Sequence, residues 1–172
     1  MFRSYSDFLQ YYNIPSSKQE FDFLNGPTLF EIIDYLKEKY HLTEIPSILF
    51  EKYLSIIKKN FSTVLPKSNS TEILKNIKKN NFNVALVTSS PKSIVMPFLN
   101  TNNWNSFFDV IVCGDDVKFS KPNPEIYLKC ISLTNAPVTD IVVLEDSING
   151  LKSAQSAGLK CFLINEQKNS IE

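Results

Sequence analysis

The sequence predicts an α/β fold in which a helical segment precedes a parallel β-sheet. Residues 1–64 carry apolar residues at helical spacing with short connections, as in a small helical bundle. Residues 65–172 alternate short apolar runs, typical of buried strands, with helical patterns. This alternation favours parallel strands joined by right-handed crossovers. We therefore expect an α-helical domain at residues 1–64 and an α/β domain at residues 65–172.

Four helices are predicted in the first of these domains. Apolar side chains recur every three or four residues in each helix, and residues that favour turns separate the helices. Ser17 and Thr28 precede the second and third helices, where a side-chain oxygen can accept a hydrogen bond from a free backbone N–H. The four helices are expected at residues 2–13, 17–24 and 28–40, and from about residue 46 to about residue 60.

Four apolar runs in the second domain predict short buried strands, because they are rich in β-branched residues and bounded by polar residues. These strands are expected at residues 84–87, 110–113, 141–144 and 160–164. Helical patterns precede or separate them. The first of these four helices is expected to be capped by Ser70, and the second to lie at residues 91–100 with a distortion at Pro97. The third is expected to open at Asn123 and Pro124, and the fourth to lie between Ser147 and Gly158.

Composition excludes several classes of protein. The 18 acidic and 18 basic residues cancel, so bulk charge favours neither nucleic acid nor an anionic membrane as a partner. No segment has the length of a transmembrane span, and the first residues do not resemble a signal peptide. The three widely spaced cysteines predict free thiols in a reducing compartment, and we expect the cytoplasm. The sequence does not indicate an oligomeric state.

Polar side chains follow three of the predicted strands, and the carboxyl ends of parallel strands meet at one edge of a sheet. A hydroxyl, a fixed positive charge and a carboxylate pair that can hold Mg²⁺ are the groups needed to handle a phosphoryl group. The groups in question, in chain order, are Thr88 with Ser89 and Ser90, Asp115 with Asp116, Lys121, and Glu145 with Asp146.

Each of these groups also has an ordinary structural interpretation. Thr88 can be a local cap, Lys121 a solvated loop lysine, and the Glu145–Asp146 pair a solvated turn. The Asp115–Asp116 pair can equally form a turn or lie near a metal site. The ordered combination on successive strands favours a site for phosphoryl chemistry.

These motifs resemble those of the haloacid dehalogenase superfamily of phosphohydrolases and phosphomutases, in particular its β-phosphoglucomutase-like branch with an α-helical cap. Residues 84–90 resemble its second motif, residues 114–127 its third and residues 143–158 its fourth. The resemblance implies a Rossmann-like core at residues 65–172 and a helical cap at residues 1–64. It implies that Thr88, Ser89 and Lys121 bind the phosphoryl group, with catalytic roles for Thr88 and Lys121. It also implies that Glu145 and Asp146 bind Mg²⁺ and that Gly26 lies in the substrate-facing loop of the cap.

One family motif has no counterpart. The family begins with a central strand that ends in Asp-x-Asp, where the first Asp is the nucleophile and the second the general acid and base. No acidic residue before Thr88 forms such a pair after an apolar run. We therefore expect about 15–20 further residues upstream of Met1. Without that strand, the strands at residues 84–87 and 141–144 would face a gap with unpaired backbone groups.

The expected activity is that of a Mg²⁺-dependent phosphatase or phosphomutase on a small phosphorylated metabolite, with the catalytic Asp pair upstream of Met1. The chain of 172 residues is then expected to be inactive by itself. The alternative is a catalytically silent fragment or pseudoenzyme that binds a phosphorylated metabolite or a protein partner. The identity of the substrate, and the choice between phosphatase and mutase, stay open at this point.

Overall fold

The computed structural model describes residues 1–24, 26–61 and 64–164. Within these ranges each predicted helix and strand is present, and the bounds differ from the expected ones by a few residues at most. The helices are α1 (Phe2–Tyr11), α2 (Lys18–Phe23), α3 (Leu29–Lys39), α4 (Pro46–Phe61), α5 (Ser70–Lys79), α6 (Lys92–Thr101), α7 (Glu125–Leu133) and α8 (Ile148–Ser156). The strands are β1 (Ala85–Val87), β2 (Val110–Val112), β3 (Val142–Glu145) and β4 (Lys160–Leu163).

Helices α1 to α4 pack around one apolar core. Helix α4 contacts both α1 and α3, and Leu9, Leu36 and Leu49 are fully buried between them. The Phe8 ring stacks on the Tyr53 ring with 4.7 Å between centroids. Ile94 of α6 belongs to the same core, so the helical segment packs against the α/β part. The division at residues 64 and 65 into two domains stays a prediction.

The starts of α2 and α3 follow the caps that the sequence predicts, and the start of α5 does not. Thr28 and Glu31 form a capping box at the start of α3, and Ser17 accepts a hydrogen bond from the backbone N–H of Glu20 at 3.3 Å. The predicted cap at Ser70 is wrong. Asn69 precedes α5 in the left-handed conformation with φ +65°, a conformation that Asn adopts more readily than most residues, and Ser70 is the first residue of the helix.

The four strands form two separate parallel pairs rather than one sheet. Strand β1 pairs with β2 in the register Ala85 to Val110, and β3 pairs with β4 in the register Val142 to Lys160. No strand of the described residues pairs with the other edge of β1 or of β3. Among the described residues the four strands thus form two pairs, and a continuous four-stranded sheet is not formed.

The two strand pairs are joined through helices. Helix α7 packs on β1 and β2, α8 packs on β3 and β4, and α7 contacts α8. Val112, Ile126, Val143 and Ala154 lie in the apolar core that these elements share. On the other face of the first pair, α6 contributes to a core that contains Trp104. The relative position of the two pairs therefore depends on side-chain packing.

The cysteines largely match the expectation. Cys113 and Cys130 are buried free thiols, whereas Cys161 is free and only half-buried. No helix in the described ranges is long and apolar enough to span a lipid bilayer.

The core of α1 to α4 generates a stability prediction. We expect Leu36→Ala to lower the free energy of unfolding by about 3 kcal/mol, because it leaves a cavity at a fully buried position. Leu128→Ala is the matched control, since Leu128 is half exposed on α7, and we expect it to cost less than about 0.5 kcal/mol. Urea unfolding of both variants measures the difference, and equal losses would contradict the assignment of this core.

Candidate functional site

A cavity of about 760 Å³ opens where β1 and β3 end. Its walls come from the loops after both strands, from the loop before α7 and from the helical segment. Thr88, Lys121 and Asp146 all line it. Three separate segments thus bring a hydroxyl, an ammonium and a carboxylate to one cavity.

Lys121 and Glu145 form a buried ion pair at the inner wall of this cavity. Both residues are 6% exposed. The Lys121 ammonium contacts the Glu145 carboxylate and lies 3.4 Å from the carbonyl oxygen of Val87. The Tyr127 hydroxyl donates to the same carboxylate, and the Ser147 hydroxyl donates to its other oxygen at 3.3 Å. The interpretations of Lys121 as a solvated loop lysine and of Glu145 as part of a solvated turn are therefore wrong.

The electrostatics of this cluster favour one charge state. Burial by itself would raise the pKa of Glu145, but the Lys121 ammonium and the Tyr127 hydroxyl outweigh burial and hold the pKa below its ordinary value. Burial and the adjacent carboxylate raise the pKa of Tyr127. Glu145 is consequently ionised at neutral pH, while Tyr127 is a neutral donor.

The inward position of Glu145 requires Gly150 in the first turn of α8. A Cβ atom at residue 150 would lie 2.0 Å from a carboxylate oxygen of Glu145. The N–H of Gly150 also donates to the Ser147 hydroxyl at 2.9 Å, which caps α8 as the sequence predicts. The start of α8 thus shapes the space that the carboxylate occupies.

The two carboxylates predicted to bind Mg²⁺ have different surroundings. Both oxygens of Glu145 accept hydrogen bonds from Lys121, Tyr127 or Ser147, whereas Asp146 is exposed at the cavity. Proteins usually hold Mg²⁺ by one or two carboxylates together with water and substrate phosphate oxygens. Asp146 fits a direct ligand of this kind. Direct coordination by Glu145 stays a prediction.

A second group of possible metal ligands is explained by local structure. Cys113, Asp115 and Asp116 offer ligand atoms within 4.8 Å of one another. The Asp115 carboxylate accepts from the N–H of Lys92 at 3.0 Å, and the Asp116 carboxylate accepts from the N–H of Cys113 at 2.9 Å. Burial and both carboxylates raise the pKa of Cys113 to about 11, so its sulfur is a protonated thiol. These contacts favour the turn interpretation of the Asp pair.

The hydroxyls after β1 face different partners. Thr88 accepts a hydrogen bond from the N–H of Ser90 at 3.1 Å, and no described residue accepts a hydrogen bond from its hydroxyl. Ser89 donates its hydroxyl hydrogen to the carbonyl oxygen of Gly26 at 2.6 Å. Thr88 can therefore donate a hydrogen bond to a ligand in the cavity, whereas the Ser89 hydroxyl already donates its hydrogen bond to Gly26 of the helical segment.

Gly26 lines the cavity and connects the helical segment to α8. Its φ is +126°, and a Cβ atom there would lie 2.6 Å from the Cβ of Asn149. Glu31 adds a second link, because it accepts a hydrogen bond from Ser120 in the loop before α7. This hydrogen bond and those from Thr28 lower the pKa of Glu31, although burial has the opposite effect. The loop predicted to face a substrate is thus packed on the α/β part of the protein.

Sequence reasoning did not identify the roles of Tyr127 and Asn149. The position of Tyr127 in the first turn of the helix that follows Lys121 was a usable signal, because that turn must lie near the loop that carries the lysine. No local signal pointed to Asn149, whose contact with Gly26 joins residues 123 positions apart only through the tertiary fold.

Comparison with known proteins identifies the group to which this arrangement belongs. Residues 1–164 match the family model described as haloacid dehalogenase-like hydrolase. The phosphorylated carbohydrates phosphatase of Thermotoga maritima is 37% identical over 113 residues, which cover 64% of this chain and 52% of that protein. The chain thus spans about half the length of this relative.

Solved structures show the same fold. A putative β-phosphoglucomutase from Thermotoga maritima has a TM-score of 0.71 and 28% identity, with 98% of this chain and 79% of that chain covered. CbbY from Rhodobacter sphaeroides has a TM-score of 0.82 and 20% identity, with 99% of this chain and 80% of that chain covered. The α/β fold predicted from the family resemblance is therefore confirmed.

The contact of Gly26 with Asn149 generates a prediction with an internal control. We expect Gly26→Ala to lower the free energy of unfolding by at least about 2 kcal/mol, because it adds a steric overlap to an unfavourable φ. Gly158→Ala should cost about 1 kcal/mol, since φ is +79° but nothing lies within 4 Å of the added Cβ. Thermal or urea unfolding compares the two variants. Equal costs would show that the Asn149 contact contributes nothing.

The ion pair generates a pH-dependent prediction. We expect Glu145→Gln to lower the free energy of unfolding by about 3 kcal/mol at neutral pH, because Lys121 loses its buried counter-charge. The folded pKa of Glu145 lies below the ordinary 4.5, so its contribution is complete above that pH and is lost as the pH falls through the folded value. The difference between the native protein and the variant should therefore shrink as the pH falls below 4.5 and through the folded pKa of Glu145.

The matched control for this pH series is Glu38→Gln, which removes a carboxylate from an exposed position of α3. Its effect should stay under about 0.5 kcal/mol at each pH. A loss at Glu145 that does not change with pH would contradict the assigned charge state.

Proposed function

The chain belongs to the family of haloacid dehalogenase-like hydrolases, and on this premise we propose that it is a Mg²⁺-dependent phosphatase or phosphomutase acting on a small phosphorylated carbohydrate. The observation that carries the proposal is the convergence of Thr88, Lys121 and Asp146 on one cavity. The name of the Thermotoga maritima phosphatase, which specifies phosphorylated carbohydrates, supports the substrate class. We place the activity in the cytoplasm.

Each residue has a distinct role in this proposal. The Thr88 hydroxyl donates a hydrogen bond to a phosphoryl oxygen, and the Lys121 ammonium supplies a fixed positive charge at the inner wall of the cavity. Asp146 holds Mg²⁺, which when bound neutralises charge on the phosphoryl oxygens. Glu145 is a positioning residue, because its carboxylate fixes the Lys121 ammonium against the end of β1.

The nucleophile requires a further carboxylate. Three carboxylates of the described residues line the cavity, namely Asp22, Glu145 and Asp146. Asp22 pairs with Lys18 and Glu145 pairs with Lys121, while Asp146 is assigned to the metal. An aspartyl-phosphate route and its proton transfers need two more acidic groups. We propose that these are an Asp pair encoded upstream of Met1.

The helical segment acts as a cap over this site in the proposal. It contributes Tyr5, Leu29 and Tyr53 to the cavity wall, and the Gly26 loop closes on Ser89. Such a cap would select the substrate and exclude water during phosphoryl transfer. We assign this role to residues 1–64 and the phosphoryl site to residues 65–172.

A second candidate function is binding without catalysis. The observation that favours it is the ion pair of Lys121. Glu145 already balances the charge of Lys121, and no nucleophilic carboxylate lies beside Lys121 among the described residues. A chain of this kind would bind a phosphorylated metabolite or a protein partner and release no phosphate.

The experiment compares the chain of 172 residues with a form extended by its in-frame upstream codons. We expect the extended form to release phosphate from sugar phosphates or p-nitrophenyl phosphate with Mg²⁺, and to lose this activity with EDTA. The shorter chain should release none, because it lacks the nucleophile. An extended form that binds inorganic phosphate without turnover would support the second candidate. An upstream sequence without an apolar strand ending in Asp-x-Asp would contradict the proposal.

The role of Thr88 is tested in the extended form. We expect Thr88→Val to lower kcat/KM by at least about 100-fold, because the hydroxyl that stabilises charge on the phosphoryl group is lost. Thr101→Val, at the exposed end of α6, is the matched control and should change kcat/KM by less than about twofold. Equal effects of the two substitutions would exclude Thr88 from the site.

A further inference from the structure

The Lys121 ammonium has more N–H donors than the described residues offer acceptors. It donates to the Glu145 carboxylate and lies 3.4 Å from the carbonyl oxygen of Val87, and no third described residue accepts a hydrogen bond from it. An ammonium group has three N–H donors. Because Lys121 lines the cavity, one of these donors is left for a ligand there.

The hydrogen bonds of the Glu145 carboxylate determine whether that N–H stays available. The Oε2 atom accepts from the N–H of Asp146 at 3.2 Å and from the Ser147 hydroxyl at 3.3 Å. The Oε1 atom accepts from both the Lys121 ammonium and the Tyr127 hydroxyl. A carboxylate oxygen has two lone pairs, so two donors occupy Oε1 fully. A second N–H of the ammonium therefore finds no free lone pair on this oxygen.

Two other clusters of a lysine, a glutamate and a tyrosine lie in the helical segment, and both are arranged differently. At Glu44, Lys52 donates to one carboxylate oxygen and Tyr12 donates to the other. At Glu20 the lysine and the tyrosines also use different oxygens. Of the three clusters in the described ranges, the one at the cavity alone has hydroxyl and ammonium on the same oxygen. A tyrosine beside an ion pair does not by itself lead to this arrangement.

Tyr127 does not reach the cavity itself. It is 3% exposed and does not belong to the residues that line the cavity, and its ring centroid lies 5.2 Å from the Lys121 ammonium. The start of α7 fixes the tyrosine and the lysine loop together. Glu125 accepts from the backbone N–H of Lys118 at 3.0 Å and from that of Phe119 at 2.8 Å. Any effect of the tyrosine hydroxyl on a ligand must therefore act through the ammonium.

We propose that Tyr127 is a positioning residue that keeps one N–H of Lys121 directed into the cavity, where this N–H binds a phosphoryl oxygen. The Tyr127 hydroxyl fills the second lone pair of the Glu145 oxygen. It thereby prevents the ammonium from turning a further N–H toward the carboxylate. The inference rests on the proposed phosphoryl site, and it applies to both candidate functions because it concerns binding of the anion.

The experiment measures the affinity of the chain of 172 residues for inorganic phosphate in the presence of Mg²⁺, by NMR chemical-shift titration. Tyr127→Phe keeps the ring and removes only the hydroxyl. We expect it to weaken phosphate binding by at least about fivefold, the factor that corresponds to one typical hydrogen bond. Thermal unfolding of the variant checks that it is folded. In the extended form, the substitution should lower kcat/KM for p-nitrophenyl phosphate by at least the same factor.

The matched control is Tyr12→Phe. It removes a hydroxyl that donates at 2.6 Å to Glu44, which pairs with Lys52 away from the cavity. Both variants thus lose one hydrogen bond from a tyrosine to an ion-paired carboxylate. We expect Tyr12→Phe to change the phosphate affinity by less than about twofold, because its cluster contributes no group to the phosphoryl site.

Lys121→Met tests whether the tyrosine acts through the ammonium. We expect this substitution to weaken phosphate binding by at least about tenfold, because a hydrogen bond from a charged donor is lost. Adding Tyr127→Phe to it should change the affinity by less than about twofold further, since no ammonium is left to reorient. Losses that add in full would show that the hydroxyl acts by another route.

The outcomes separate this proposal from the proposed function. Equal phosphate affinities of the native chain and Tyr127→Phe, or full additivity with Lys121→Met, would overturn the role of Tyr127 alone. A native chain that binds no phosphate would overturn the phosphoryl site and this proposal with it. An extended form without turnover, in which Tyr127→Phe still weakens phosphate binding, would contradict the phosphatase activity and support the role of Tyr127.

Discussion

The ion pair between Lys121 and Glu145 is the interaction on which the rest of the structure depends. It lies where two strand pairs approach each other without a backbone ladder between them. A buried charge is tolerated only when a partner and hydrogen bonds compensate its lost hydration. Tyr127 and Ser147 supply the additional hydrogen bonds to the carboxylate. Formation of this cluster therefore requires the loop before α7, the start of α8 and the end of β1 to reach their positions together.

The same arrangement explains why the cavity exists and why its polar groups converge. In a continuous sheet, hydrogen bonds between neighbouring strands hold the strand ends at a common edge. Here the two pairs are positioned through α7 and α8, which pack against each other and against all four strands. Thr88 and Asp146 follow strands that belong to different pairs. Their meeting at one cavity is a result of helix packing and of the shared ammonium.

Local sequence signals predicted the elements well, and long-range contacts limited the prediction of the site. The apolar periodicity placed the helices, and the caps at Ser17 and Thr28 follow from short-range hydrogen bonds. The cap at Ser70 was wrong because Asn69 could adopt a positive φ, a choice that periodicity does not reveal. The order of polar residues after the strands indicated the cavity, but not that Glu145 would pair with Lys121 instead of pointing to a ligand. Such pairings depend on distances in three dimensions.

The hydrogen bond from Ser89 to Gly26 has a thermodynamic consequence. A hydroxyl has one proton, so it can hold either the carbonyl oxygen of the loop or an incoming anion, but not both at once. A ligand that takes this proton weakens the attachment of the loop by about 1 kcal/mol, the net strength of a typical hydrogen bond. By linkage, the docked loop lowers the affinity for that ligand by the same factor, about fivefold. Release of the loop and occupancy of the Ser89 hydroxyl by an anion are thus reciprocally coupled.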